Sequence, residues 1–462
     1  MAGIGFELQK LLRAGGIGAF FKVALAGVII VAGPWILAIV GILLVSSIGG
    51  LALTEASELF MGVIIYSYAV SLFLFGGSHY IFTRYLSDLV FQEKDGEAGS
   101  SLVFFLVVVF ALAAALAYFG LRQVDVRSLT RPLLFRVSAG LFFANVNVLW
   151  VVMIFISLLK QYFTIFFTYL VGMAVSVAGV FLLAPRLGLG GAMLGFTVGQ
   201  TLTTLVLLIL SLVPYRPRRF FATVKGFFRY FPKYGMLFGA GLFYYWGIWI
   251  DKLVFWFAVG RETAGGFFRL FPVYDIPVYL ANLAMIPGLI YFVVASETDF
   301  YVSLKVFLES LGNGILSRIR ENKYAVVQQL RRSLREQSVF QGILILVLIL
   351  LAPTLARALF AGGMDVTVFR LTLAAVFFHF LFMTLMTFLF YLELYAQACL
   401  ASLVFFLVNA AATAIMVLTG GTGVAGLSYL LGGAAGCAAA ARLLFSRVRT
   451  VDRTIYVRYS LG

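Results

Sequence analysis

Long apolar blocks alternate with short polar gaps along nearly the whole chain. Twelve blocks stand out, at 23–45, 59–82, 101–121, 133–157, 162–184, 189–213, 235–258, 268–295, 340–360, 367–391, 397–419 and 422–444. About 20 apolar residues cross the ~30 Å hydrocarbon core as a helix, so each block predicts one span. The expected fold is an all-α polytopic membrane protein of about twelve transmembrane helices in two six-helix bundles. The first bundle covers 23–213, a basic linker covers 214–234, and the second bundle covers 235–444 with a polar insertion at 297–338. Spans six and twelve both open on glycine-rich runs, at 188–196 and 420–427. Aligning Gly191 with Gly423 gives an offset of 232 residues, close to half the chain. Two related halves are a recurring transporter plan, and small residues let membrane helices approach closely.

Composition removes the soluble alternative, since 63% of the 462 residues are hydrophobic and only 11% charged. Charge then orients the chain. Of its 34 Lys and Arg, 23 fall in one alternating set of gaps, five in the other and six inside spans. The rich set contains the N- and C-terminal segments, so both termini are expected in the cytoplasm. The net charge of +15 therefore lies on cytoplasmic rims. There it faces anionic lipid headgroups or a partner rather than nucleic acid. The two cysteines, Cys399 and Cys437, lie in separate spans and form no metal-ligand spacing, so no metal or other cofactor is expected.

Two polar segments stand apart. Residues 1–22 place Ile4, Leu8, Leu11 and Leu12 on one helical face and hold Glu7, Lys10 and Arg13 elsewhere. That pattern predicts an amphipathic helix on the inner membrane surface rather than a signal peptide. Residues 297–338 carry seven basic and five acidic residues, with Arg331, Arg332 and Arg335 set against Leu330 and Leu334. A surface helix is expected there, either as a solvated linker or as a docking platform. The tail 445–462 is basic and cytoplasmic by the same rule.

Ionisable groups inside spans are costly, and each is a candidate for function. They concentrate in the second half: Asp251 and Lys252 in span seven, Arg269 and Asp275 in span eight, Arg370 and His379 in span ten. At 1.5 Å per residue Asp251 lies about 24 Å from the inner end of its span. The group thus clusters toward the outer leaflet. Adjacent positions on a helix point in different directions, so Asp251 is expected to reach Arg269 or Arg370 rather than Lys252. Arginine and lysine can also snorkel to the surface, whereas the short aspartate cannot. Tyr244, Tyr245 and Trp249 surround the pair along span seven. Flat rings beside a carboxylate and an amine suit sugar rings; the plainer reading is helix packing. Prolines mark broken helices: Pro34 in span one, and Pro277 and Pro287 in span eight, are candidate hinges.

Three stretches resemble a known family. MAGIGFELQKLL (1–12), GIWIDKLVFW (247–256), and RLFPVYDIPVYLANLAMIPGL (269–289) followed by ETDFY (297–301) are similar to the PelG-type exopolysaccharide transporters. These form a bacterial branch of the multidrug/oligosaccharidyl-lipid/polysaccharide flippase superfamily. The resemblance implies a multi-pass protein of the bacterial inner membrane. It would move the N-acetylhexosamine-rich Pel polymer from cytoplasm to periplasm between two bundles. It also implies a cytoplasmic glycosyltransferase partner (PelF-like) and membrane partners (PelD-like and PelE-like), with 214–234 and 297–338 as docking surfaces. The polar spans would then supply the substrate pathway: Asp251, Lys252, Asp275, Arg269, Arg370, Tyr244, Tyr245 and Trp249.

Three other readings compete. A cation-coupled drug antiporter on the same fold needs a buried carboxylate, which Asp251 or Asp275 supplies. A polytopic glycosyltransferase needs paired acids in an outer loop, and only Glu55 and Glu58 offer them; no enzyme is therefore expected. A non-transporting scaffold for the synthase is the third.

Overall fold

The computed structural model describes residues 27–28, 55–156, 162–218, 220–262, 266–360 and 363–448. The expected surface helix 1–22, Pro34 and the tail after Val448 lie outside them. Ten helices among the described residues are long and apolar enough to cross a membrane. One of them is two predicted spans run together, as shown below, so the described residues account for eleven of the twelve expected spans.

Among the described residues, the first compact unit runs from Glu55 to Trp249 and includes Trp256–Phe271. Its described helices are α1 (Glu55–Phe91), α2 (Asp95–Arg122), α3 (Pro132–Ile156), α4 (Tyr162–Leu212) and α5 (Phe220–Lys233), with the first part of α6 (Gly235–Val259). Pro132 opens α3, where its missing N–H costs nothing. Asp95 and Glu97 complement the positive end of α2.

Within α4 the backbone leaves the helix at Gly188 (φ 62°, ψ −150°), which separates two arms. These are the predicted spans 162–184 and 189–213. The arms touch backbone to backbone: a Cβ on Gly195 would stand 2.3 Å from the Gly179 carbonyl carbon. Only glycine permits that approach, and Gly191, Gly195 and Gly199 repeat it every four residues.

The basic linker is mostly helix. In α5, Phe227 is buried against Phe105, with ring centroids 5.4 Å apart. Lys225, Arg229 and Lys233 recur every four residues on the exposed face. The Tyr230 hydroxyl donates to Asp88 at 2.9 Å and that of Tyr85 donates to the Thr223 carbonyl at 3.1 Å, so α5 is fixed to α1. Burial, aided by the Asp88 carboxylate, raises the Tyr230 hydroxyl above its ordinary range and keeps it a donor.

After α6 a two-stranded antiparallel hairpin, β1 (Arg261–Glu262) and β2 (Arg269–Leu270), pairs Arg261 with Leu270 and Glu262 with Arg269. The predicted start of span eight at 268 therefore meets loop and the strand Arg269–Leu270, and the helix begins at Pro272.

Among the described residues, the second unit holds Gly27–Val28, Ile250–Phe255 and the chain from Pro272 onward. Its remaining helices are α7 (Pro272–Leu283), α8 (Met285–Tyr291), α9 (Thr298–Asn313), α10 (Leu316–Phe360), α11 (Val366–Tyr391), α12 (Tyr395–Thr419) and α13 (Gly426–Val448). Asp365 caps α11, accepting from the Thr367 and Val368 amides at 2.8 and 3.1 Å.

Span eight is broken as its prolines predict. The chain turns at Ala284, α8 carries Pro287, and a π-helical turn covers Phe292–Glu297. Pro287 lacks an N–H, so the helical ladder cannot run through it. Two buried glutamines of α10 support this stretch. Gln341 donates to the Ala284 carbonyl at 2.9 Å and Gln337 to that of Gly288 at 3.0 Å.

At 45 residues α10 is about 67 Å long, more than twice the ~30 Å membrane core. Its first half therefore extends beyond the bilayer, where it packs on α9 and buries Val326 and Leu330. The expected surface helix in 297–338 is thus two packed helices.

Candidate functional site

The second unit encloses a chain of polar groups in its apolar interior. It starts on α6, where Asp251 and Lys252 are 0% and 6% exposed. The Lys252 ammonium donates to both Asp251 carboxylate oxygens, at 3.1 and 3.0 Å. This corrects the expectation that neighbours on a helix cannot pair. Cβ directions do diverge, but four methylenes let the lysine curl back onto the preceding carboxylate. Burial makes the pairing worthwhile, because either charge alone would be costly.

Tyr274 of α7 donates its hydroxyl to Asp251 Oδ2 and is itself fully buried. The ammonium also lies over two rings, 4.6 Å from the centroid of Tyr429 on α13 and 5.6 Å from that of Tyr274. Ring faces attract a desolvated cation. The Tyr429 hydroxyl lies 2.6 Å from His379 Nδ1 on α11, and the His379 imidazole stacks on Phe405 of α12 at 5.7 Å and 17°. Five helices thus meet around one ion pair. Glycines of α13 make room: a Cβ on Gly433 would stand 3.3 Å from the His379 amide.

The other predicted site residues divide between the two units. Asp275 is half-buried beside Tyr274 on α7. Arg370 is exposed near the start of α11 and donates to the Ile349 carbonyl of α10 at 3.2 Å. Arg269 sits in β2, not in a span, where it pairs with Glu262 across the hairpin and donates to the Phe257 carbonyl at 3.1 Å. The expected Asp251–arginine pair is therefore replaced by the Asp251 bonds to Lys252 and Tyr274.

Tyr244, Tyr245 and Trp249 belong to the first unit. Tyr245 packs where a Cβ on Gly76 would meet its ring at 2.2 Å, and Trp246 donates to the Phe73 carbonyl at 2.8 Å. Packing against α1 accounts for Tyr245 and Trp246. Trp249 is tilted against Trp256 at 6.3 Å, and its indole N–H is buried without a hydrogen-bond partner. Pro277 is buried in α7 and Pro287 lies in α8. The sequence places His379 in span ten, but nothing in it separates Tyr429, the partner of His379, or Tyr274, the partner of Asp251, from the other tyrosines before the helices are folded. No group of three or more metal-binding side chains occurs among the described residues.

The all-helical fold is shared with solved MATE transporter and MurJ flippase structures. The Vibrio cholerae MATE transporter VcmN in its bent form is similar at a TM-score of 0.61 and 14% identity, covering 98% of this chain and 99% of that one. The lipid II flippase MurJ in an inward closed conformation is similar at 0.59 and 15%, covering 94% and 90%. The eukaryotic MATE transporter AtDTX14 is similar at 0.56 and 13%, covering 98% and 99%. At these identities the likeness shows the fold. No curated protein matches by sequence. The family model does: residues 1–456 match PelG, the putative exopolysaccharide exporter family, and the chain belongs to it. It is a multi-pass membrane transporter.

Proposed function

We propose that this protein carries an N-acetylhexosamine-rich exopolysaccharide of the Pel type from cytoplasm to periplasm across the bacterial inner membrane, with both termini cytoplasmic. The observation that carries this reading is the family match over residues 1–456, nearly the whole chain. Movement is by alternating access or channel-like passage. The breaks at Ala284 and in the π turn after α8 support bending there, with Pro277 and Pro287 as hinges. Asp251, Lys252 and Asp275 are the polar centre of the pathway in the second unit. Tyr244, Tyr245, Trp249, Arg269 and Arg370 are its further candidates. A PelF-like glycosyltransferase and PelD-like and PelE-like membrane proteins are its partners, and the projecting half of α10 is their docking surface.

The cation-coupled antiporter reading loses ground because the Asp251 carboxylate already holds an ammonium. The decisive test is export by Asp251→Asn, which keeps shape and hydrogen bonding while removing charge. Normal membrane levels with impaired secretion of polymer support the site; normal secretion removes Asp251 from the mechanism.

A further inference from the structure

We propose that the Asp251 carboxylate, the Tyr274 hydroxyl and the ring faces of Tyr429 and Tyr274 form a monovalent-cation site that this chain fills with its own Lys252 ammonium. The components are those that bind a small desolvated cation. There is one full negative charge, both of whose oxygens are engaged at 3.0 and 3.1 Å. Two aromatic faces lie 4.6 and 5.6 Å away. Asp251, Tyr274 and Tyr429 are each no more than 1% exposed, so the carboxylate needs a resident counter-charge. The groups come from α6, α7 and α13, so the site exists only in the folded unit.

Lys252 is covalently next to Asp251, which gives its ammonium an effective concentration no dissolved ion matches. Sodium, potassium or a free amine therefore cannot enter while the lysine stays. The consequence is a transporter whose deepest carboxylate is saturated from within and does not take up an ion from solution. This holds whatever the cargo is, and its test does not read export.

The experiment uses purified full-length protein in detergent at pH 8, in N-methylglucamine chloride. Thermal unfolding is followed as sodium, potassium or methylammonium chloride replaces that salt at constant ionic strength. The wild-type protein is expected to be insensitive. Lys252→Met keeps the stem but removes the charge, and its melting temperature should rise saturably by a few degrees with added cation. Adding Asp251→Asn to that variant should abolish the rise.

Lys252→Gln, which retains a donor for Asp251, guards against misfolding of the methionine variant. Its detergent-stable yield should increase when extracted in sodium or potassium chloride, and not when Asp251→Asn is also present. Two results overturn the proposal. One is a Lys252 variant whose stability and yield ignore cations, its carboxylate having taken a proton instead. The other is a wild-type protein that already shows a saturable cation effect lost in Asp251→Asn.

Discussion

The Tyr429 hydroxyl and His379 Nδ1 stand 2.6 Å apart and join α13 to α11. The same tyrosine presents its ring to Lys252 at 4.6 Å. One side chain therefore serves both the histidine and the ion pair, and the two roles can be separated. Tyr429→Phe keeps the ring but leaves a buried histidine nitrogen without this partner, at a cost of about 1–3 kcal/mol. Tyr429→Leu loses the ring face as well and should be the less stable of the two. Thermal unfolding of the detergent-purified variants ranks them; equal stability would mean the ring face contributes nothing.

Asp251 and Lys252 should behave as a unit. Asp251→Ala strands a buried ammonium and should cost roughly 3–5 kcal/mol. Asp251→Asn combined with Lys252→Met removes both charges and should be more stable than either single change. Membrane yield and melting temperature of the wild type, Asp251→Asn, Lys252→Met and the double variant form the cycle, and additive losses would show that the contact carries no coupling.

The two arms of α4 depend on glycine. Gly195→Leu would drive a side chain into the Gly179 backbone, which cannot retreat as a side chain would. A loss of membrane yield larger than the ~1–3 kcal/mol of ordinary overpacking is expected. Gly120→Ala is the control: nothing lies within 4 Å of its added methyl, and helix propensity favours the change by about 0.5 kcal/mol.

The docking surface proposed at the start of α10 can be tested directly. Arg318, Arg320 and Tyr324 are exposed there, whereas Val326 and Leu330 are core. Deleting the segment would damage packing, so Arg318→Glu, Arg320→Glu and Tyr324→Ala together are the better probe. Normal insertion with loss of the co-purifying glycosyltransferase is the expected outcome. Retained co-purification would move the docking surface elsewhere.

Much of the helical plan was legible in the apolar blocks, whose ends coincide with end signals that the structure shows in use. Pro132 and Asp365 mark starts, and Gly420 (φ 70°) ends α12. Predicted spans 133–157 and 367–391 accordingly meet Pro132–Ile156 and Val366–Tyr391 within a residue. The elements that were missed lack a hydropathy signal. The hairpin at Arg261–Leu270 is too short to show one, and α5 was read as linker because its basic residues masked its buried aromatic face. At the site, Asp251 and Lys252 announced themselves as charges in an apolar block. Their mutual bond did not, because helical geometry fixes Cβ directions but not the reach of a lysine stem. Tyr274 and Tyr429 were two tyrosines among 22 until folding set them beside the pair.

The proposed export of an exopolysaccharide runs through a pathway that depends on the Asp251 charge. The most direct measurement is secreted N-acetylhexosamine polymer from cells lacking the gene, complemented with wild-type protein or with Asp251→Asn at matched membrane levels. The account predicts that secretion is lost without the gene, restored by the wild type and strongly reduced with Asp251→Asn. Undiminished polymer from cells lacking the gene would contradict the export function itself, and full restoration by Asp251→Asn would contradict the site.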